Sequence, residues 1–226
     1  MPTLLISGAN RGIGLELTAR YLADGWDVIA CCRDPQAATA LAGLKGSLAI
    51  APLEVTDDAA IDALAAKYRD RAIDLLINNA GIYGNRDGAR AISDFDGFRR
   101  VLAVNVVAPM KMALALLPSL QKAKTAKIAT ISSRMGSIAE APGGSYVYRT
   151  SKAAVNAAMR NLAMDLKADG IACFTLHPGW VKTDMGGPSA AIDVATSGAG
   201  LKKVIDGATM KDTGKFFNYD GSEIPW

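Results

Sequence analysis

Short, unbroken apolar runs recur along this chain, and helical patterns separate them. Thr3 to Ser7, Asp27 to Cys32, Ser47 to Leu53, Ile73 to Ile77, Ala126 to Ser132 and Ile171 to Leu176 read as strands, with Lys215 to Asn218 a weaker late one. A half-exposed strand would alternate apolar and polar residues. These runs do not alternate, so both of their faces must be covered. Helices are expected at Gly12 to Ala23, Pro35 to Ala42 and Asp57 to Arg69, the last capped by Asp57 or Thr56. Buried strands alternating with helices specify an α/β fold, a doubly wound parallel sheet with helices on both faces. With 226 residues, half of them hydrophobic, the chain is expected to form one domain over residues 1–226.

One stretch resists this reading. Asp96 to Lys122 has helical character but contains Pro109 and Pro118. An interior proline costs about 3 kcal/mol and kinks a helix, so local rules break this stretch into pieces.

Charge excludes some partners. A net charge of +3 is too small to argue for nucleic acid or an anionic membrane. The three cysteines have neither zinc spacing nor the even count of a disulfide framework, which suits free thiols in a reducing compartment. The first residues carry no basic leader or long apolar region, and no run is long enough to span a bilayer. A cytoplasmic location is expected.

The first strand runs into Ser7-Gly8-Ala9-Asn10-Arg11-Gly12-Ile13-Gly14. Glycines there permit a tight turn and a close backbone approach to a ligand. The amino end of the next helix offers free N–H groups and a positive dipole end, which suit a pyrophosphate. The fourth strand ends in Asn78-Asn79-Ala80-Gly81, at the strand edge where open parallel sheets bind ligands. Asn105 lies in an apolar run, so it must find hydrogen-bond partners inside. The fifth strand ends in Ser132-Ser133. The sixth leads through His177-Pro178-Gly179-Trp180-Val181-Lys182-Thr183, where Pro178-Gly179 signals a turn and Thr183 could bind a carboxamide or phosphate. A single histidine beside a turn reads as structural.

The chemistry is expected in Ser145-Tyr146-Val147-Tyr148-Arg149-Thr150-Ser151-Lys152, which opens a helix. Tyr148 and Lys152 fall one turn apart on one face. A neighbouring ammonium favours the phenolate and lowers the tyrosine pKa from about 10, giving a general acid usable near neutral pH.

Taken in order, Gly8, Gly12 and Gly14, Asn78 to Gly81, Asn105, Ser133, Tyr148 with Lys152, and Pro178-Gly179 with Thr183 resemble the short-chain dehydrogenase/reductase family. The residues following Tyr148 and His177, and the tail from Phe216 to Trp226, are similar to its C-factor and sniffer-type carbonyl reductase branch. The resemblance implies a Rossmann-type sheet, hydride transfer between a nicotinamide and a carbonyl or alcohol, and one continuous helix through Pro109 and Pro118. It implies that Tyr148 protonates the carbonyl oxygen and that Lys152 lowers the Tyr148 pKa and holds the nicotinamide ribose. Ser133 would orient the substrate oxygen, with Ser132 and Ser137 as alternatives, and Asn105 would hold a water linking Lys152 to solvent. The cofactor would be held by Gly8, Asn10, Arg11, Gly12, Ile13, Gly14, Arg33, Glu54, Val55, Asn79, Ala80, Gly81, Tyr148, Lys152, Pro178, Gly179, Val181 and Thr183. Glu54 stands where the family usually has Asp at the adenine.

NADP(H) is the expected cofactor. In NAD-binding members an acid ends the second strand and holds the ribose hydroxyls. Here that position is neutral Cys32, followed by Arg33, with Arg11 nearby to meet a 2′-phosphate. Asp34 would oppose this if the strand end shifted by one residue. Met185 to Gly200 is expected to form a small lid over an open pocket, walled by Trp180, Tyr146, Ile82 and Tyr83. The expected activity is NADPH-dependent reduction of an aldehyde, ketone or quinone, and no metal is expected. The C-factor likeness leaves an alternative, a signalling protein that senses the dinucleotide with little turnover. The Ala154, Ala157 and Ala158 face of the Tyr148 helix favours a homodimer.

Overall fold

A computed structural model describes residues 1–84 and 93–226. Among these residues the strands are β1 (Thr3–Ser7), β2 (Asp27–Cys32), β3 (Leu48–Pro52), β4 (Leu75–Asn78), β5 (Lys127–Ile131), β6 (Ala172–His177) and β7 (Phe216–Asn218). They form one parallel sheet in the order β3-β2-β1-β4-β5-β6-β7. The strand order reverses between β1 and β4, which pair from Leu4–Leu75 to Ile6–Ile77. The glycine turn and Asn78 to Gly81 therefore emerge side by side on the carboxyl edge, where such sheets bind ligands.

Helices cover both faces, as the unbroken apolar strands require. One core joins Leu5, Ile29, Leu76, Ile128 and Cys173 to α3 (Asp58–Lys67), α5 (Ala108–Ala115) and α7 (Tyr146–Asp165). The other joins Leu4, Ile6, Ala30, Ile77 and Leu176 to α1 (Gly12–Ala23), α2 (Thr39–Ala42) and α8 (Val194–Gly207). The expected Asp57 cap of α3 is present, accepting from the N–H groups of Ala59 and Ala60.

Three expectations need correction. The helix expected from Pro35 shrinks to Thr39–Ala42. Asp34 Oδ1 accepts the N–H groups of Gln36 at 3.0 Å and Ala37 at 3.1 Å, which holds those residues in a turn.

The Asp96 to Lys122 stretch divides differently from both expectations. It begins as α4 (Phe95–Leu102), passes through a π-helical turn (Ala103–Val107) and continues as α5, so Pro109 does not break it. In the π turn the Ala108 N–H reaches back to the Ala103 carbonyl, and Pro109 then enters at the start of the next α-helical segment. There the missing N–H is tolerated, as at a helix start. Pro118 does mark a break: α5 ends at Ala115, and Pro118 sits in the first turn of the short α6 (Leu117–Leu120).

Only the first half of the expected lid, up to Asp193, is irregular. From Val194 it is helix, with Asp193 accepting the Thr196 N–H at 2.7 Å as its cap. The small residues that suggested a loop serve packing instead. A Cβ on Gly198 would come within 2.4 Å of Glu16, and one on Gly200 within 2.4 Å of the Tyr219 carbonyl.

Candidate active site

A cavity of about 520 Å³ runs along the carboxyl edge of the sheet. Gly8, Asn10, Arg11, Gly12, Ile13 and Gly14 line one end, and Tyr148 and Lys152 line the other. Gly14 leaves no room for a side chain, since a Cβ there would lie 2.2 Å from the Gly8 carbonyl oxygen. Asn79 fixes this turn from the neighbouring strand end. Its Nδ2 donates to the carbonyls of Ser7 (3.0 Å) and Gly8 (2.9 Å), while its own N–H donates to Ser7 Oγ at 3.1 Å. Arg11 precedes α1 without a side-chain cap, so among the described residues no capping side chain occupies the first N–H groups of that helix. An open helix start beside a glycine turn fits a pyrophosphate.

At the adenosine end, Cys32, Arg33, Glu54 and Val55 line the cavity. Arg33 is exposed and Cys32 is buried. Asp34 points its carboxylate into its own turn, so the opposing charge considered from the sequence is engaged elsewhere. Arg11 is ion-paired with Asp184, and both side chains are largely exposed. Glu54 Oε1 accepts from the Thr56 N–H (3.1 Å) and hydroxyl (2.9 Å).

Asn105 is buried on the π turn. Its Oδ1 accepts the Ile82 N–H at 2.9 Å, and its Nδ2 donates to the Ile82 carbonyl and Ser151 Oγ, each at 2.9 Å. The side chain is thus committed to holding the chain beyond β4 against α7.

Tyr148 and Lys152 are both buried on α7, at 7% and 4% exposure. Lys152 Nζ donates to the Ile131 carbonyl at 2.9 Å and lies 5.6 Å from the centre of the Tyr148 ring. Burial lowers the Lys152 pKa to about 8. Burial also raises the Tyr148 phenol above its ordinary value; a hydrogen bond with the Ser133 side chain pulls it back, and Tyr83 adds to the rise. This corrects the expectation of a phenol lowered by its lysine neighbour: desolvation is the largest influence and raises it, and the opposing pull comes from Ser133.

The three candidate serines separate clearly. Ser133 is the one beside the Tyr148 hydroxyl, and its Oγ also accepts the Met135 N–H at 3.1 Å. Ser132 lines the cavity, but its hydroxyl is committed to Asn156 Oδ1, to which it donates at 2.6 Å. Ser137 accepts the Glu140 N–H at 3.2 Å in the following loop.

Beyond β6, Pro178 and Thr183 line the cavity, whereas Gly179 and Val181 do not. Gly179 turns at φ +85°, where a Cβ would meet Ile192 at 2.6 Å, and Val181 is buried in a bridge to Ile192. Of the expected wall residues, Ile82 lines the cavity and Tyr83 lies against Tyr148. Trp180 and Tyr146 are exposed, and Trp180 Nε1 donates to the Gly186 carbonyl at 2.9 Å. Several lining residues were missed from the sequence, among them the cations Arg100 and Lys182. Neither belongs to a glycine or Tyr–Lys pattern that would have singled it out. Among the described residues no cluster could hold a metal ion.

Comparison with known proteins bears on the family and the fold. The short chain dehydrogenase family matches residues 2–193. C-signal from Myxococcus xanthus is 42% identical over 165 residues, covering 73% of this chain and 99% of that protein. A 1-hydroxy-2-glutathionyl-2-methyl-3-butene dehydrogenase from Rhodococcus is 34% identical over 233 residues, covering all of both chains. Among solved structures, the carbonyl reductase Sniffer of D. melanogaster superposes with a TM-score of 0.93 at 36% identity over the whole of both chains. The NADPH-bound carbonyl reductase from chicken fatty liver gives 0.92 at 38%, covering 100% of this chain and 99% of that one.

Proposed function

This chain belongs to the short-chain dehydrogenase family, and on that premise we propose that Tyr148, Ser133 and Lys152 carry its NADPH-dependent reduction of a carbonyl to an alcohol. The observation that carries the reading is Tyr148, hydrogen-bonded to Ser133 and lining, with Lys152, one end of a cavity whose other end is a glycine turn at an open helix start.

NADPH, when bound, supplies the hydride. The glycine turn and the start of α1 would hold its pyrophosphate, Arg33 its 2′-phosphate, Glu54 and Val55 its adenine, and Lys152 the ribose near the reacting end. Pro178 and Thr183 would contact the carboxamide. Ser133 donates a hydrogen bond to the substrate oxygen and orients it. Tyr148 gives its phenolic proton to that oxygen as negative charge develops there. A phenol held above its ordinary pKa remains protonated at neutral pH and is ready to donate. Lys152, lowered to about 8, exchanges protons near neutrality and holds an exchangeable proton beside Tyr148.

NADPH consumption against a panel of aldehydes, ketones and quinones tests the activity, with Tyr148→Phe as the control. The variant should lose about 10²–10⁴-fold in kcat and keep its NADPH affinity. More than about a tenth of wild-type activity in Tyr148→Phe would remove Tyr148 from the acid role. Tight NADPH binding without turnover on any of the carbonyls would favour the dinucleotide-sensing alternative that the C-signal relative raises.

We also propose a homodimer and a cytoplasmic location. Ala157 on α7 is exposed, close to exposed Met164 on the same helix, and Val107 and Leu114 are exposed on the neighbouring helical stretch. An apolar surface of this kind supports pairing across a two-fold axis. Sedimentation at micromolar concentration giving only a 23.6 kDa species would exclude the dimer. The three free, buried thiols support a reducing compartment.

A further inference from the structure

Tyr83 lies outside the glycine, serine and Tyr–Lys patterns, yet it is held more firmly than a covering side chain requires. Its ring lies flat on the Tyr148 ring, with centroids 4.2 Å apart and planes 11° from parallel. Its hydroxyl donates to Ser145 Oγ at 3.1 Å and contacts Met135 Sδ at 3.7 Å. These anchors sit on two different segments, the turn after β5 and the residue before α7. The backbone on either side is fixed as well. Asn105 holds both main-chain groups of Ile82, and Gly84, at φ +75°, leaves no space for a Cβ, which would lie 2.6 Å from Val101. Ser145 is itself strained, the only non-glycine among the described residues with a positive φ, at 46°.

Building on the reading of Tyr148 as the acid, we propose that Tyr83 is a positioning and specificity-determining residue for carbonyl reduction, fixing the angle of the Tyr148 ring and walling off one of its faces. The substrate oxygen then reaches the Tyr148 hydroxyl from the side that Ser133 shares. A flat group beside the carbonyl, as in an aromatic aldehyde, passes this wall. A ketone branched on both sides of the carbonyl meets the Tyr83 ring. The stack also excludes water from one face of the phenol and so helps to keep it protonated.

The test compares Tyr83→Phe, Tyr83→Leu and Tyr83→Ala with wild type, using benzaldehyde and diisopropyl ketone, with NADPH affinity measured separately by fluorescence. Tyr83→Ala should lower kcat for benzaldehyde by about 2- to 10-fold, the range of an aromatic pair, with NADPH affinity unchanged. It should raise the kcat/KM ratio of the branched ketone to benzaldehyde by about tenfold, the order that steric fit in a pocket supplies. The alkaline limb of its kcat profile should move to lower pH. Tyr83→Phe keeps the stack and should retain wild-type selectivity and most of the rate. Tyr83→Leu preserves bulk without the flat contact, so the wild-type pH profile should not return; it also serves if the alanine variant does not fold. An unchanged substrate ratio and pH profile in folded Tyr83→Ala or Tyr83→Leu would overturn the proposal. Loss of activity in Tyr148→Phe alongside that result would leave the acid assignment standing and defeat only the role of Tyr83. Activity retained in Tyr148→Phe would defeat the acid assignment itself.

Discussion

Lys152 Nζ donates to the main-chain carbonyl of Ile131 at 2.9 Å, so the lysine is fastened to the end of β5 before any cofactor binds. Its amine is buried, and burial lowers its pKa from 10.5 to about 8. Between those values the unfolded chain binds more protons than the folded one, so this group makes stability rise with pH across that window. Below about pH 8 it costs the fold its full penalty. Lys152→Met should therefore gain stability relative to wild type at pH 7, and the difference should shrink as pH approaches 10. Urea midpoints of the cofactor-free proteins across that range measure it. A difference that does not vary with pH would mean that the amine is not buried in its charged form.

Ser133 and Ser132 are neighbours with different partners. Ser133→Ala removes a hydroxyl beside the Tyr148 phenol and should lower kcat about 10²-fold with little change in melting temperature. Ser132→Ala removes the 2.6 Å bond to buried Asn156 and should cost about 1–3 kcal/mol of stability, with a smaller loss of rate per folded molecule. Thermal melts paired with initial rates separate the two, and the reverse pattern would exchange their roles.

Arg33 is the exposed cation at the end of β2, facing the cavity beside neutral Cys32. Arg33→Ala should shift the ratio of NADH to NADPH efficiency at least about tenfold toward NADH, because a charge-assisted bond is worth about 1.5–3 kcal/mol. Cys32→Asp should shift it the same way. Steady-state kinetics with both cofactors measure this, and an unmoved ratio in both variants would place the 2′-phosphate elsewhere.

His177 is held neutral. Burial, aided by the nearby Arg134 and opposed by Asp220, lowers its pKa from 6.5 to about 4, and its Nδ1 has no hydrogen-bond partner among the described residues. The unfolded chain binds the extra proton between those values, so this residue makes stability fall as pH drops from 6.5 towards 4. His177→Gln should flatten that part of the stability profile while leaving NADPH affinity at pH 7 unchanged. An acid limb as steep as in wild type would assign the loss to other groups.

Most of the site could be read in the sequence wherever a function needs a backbone rule. Gly8 and Gly12 are dictated by the positive φ of the turn and Gly14 by the lack of space for a side chain, and the i, i+4 spacing of Tyr148 and Lys152 follows from helix geometry. Gly179 and Val181 carried the pattern but serve packing against Ile192, because a motif residue can maintain a turn without touching what the turn encloses. Arg100 reaches the cavity from a segment with no pattern of its own, and Lys182 lies inside a patterned segment whose signal fell on its neighbours.

The sequence by itself determined the strands, their parallel arrangement and the edge that carries the chemistry, since unbroken apolar runs and glycine turns are local statements about burial and backbone freedom. The tertiary structure alone decided which serine meets Tyr148, that the Asp34 carboxylate is engaged by the turn that follows it, and that Pro109 follows a π turn in a continuing helix while Pro118 opens a new one. It also turned the expected lowering of the Tyr148 pKa into a rise, and made the glycine-rich stretch after Asp193 a helix packed on α1. Each of these outcomes depends on how much water is excluded and which distant groups arrive at the same place. Those quantities are set by the whole packed chain and leave no periodicity in any one stretch.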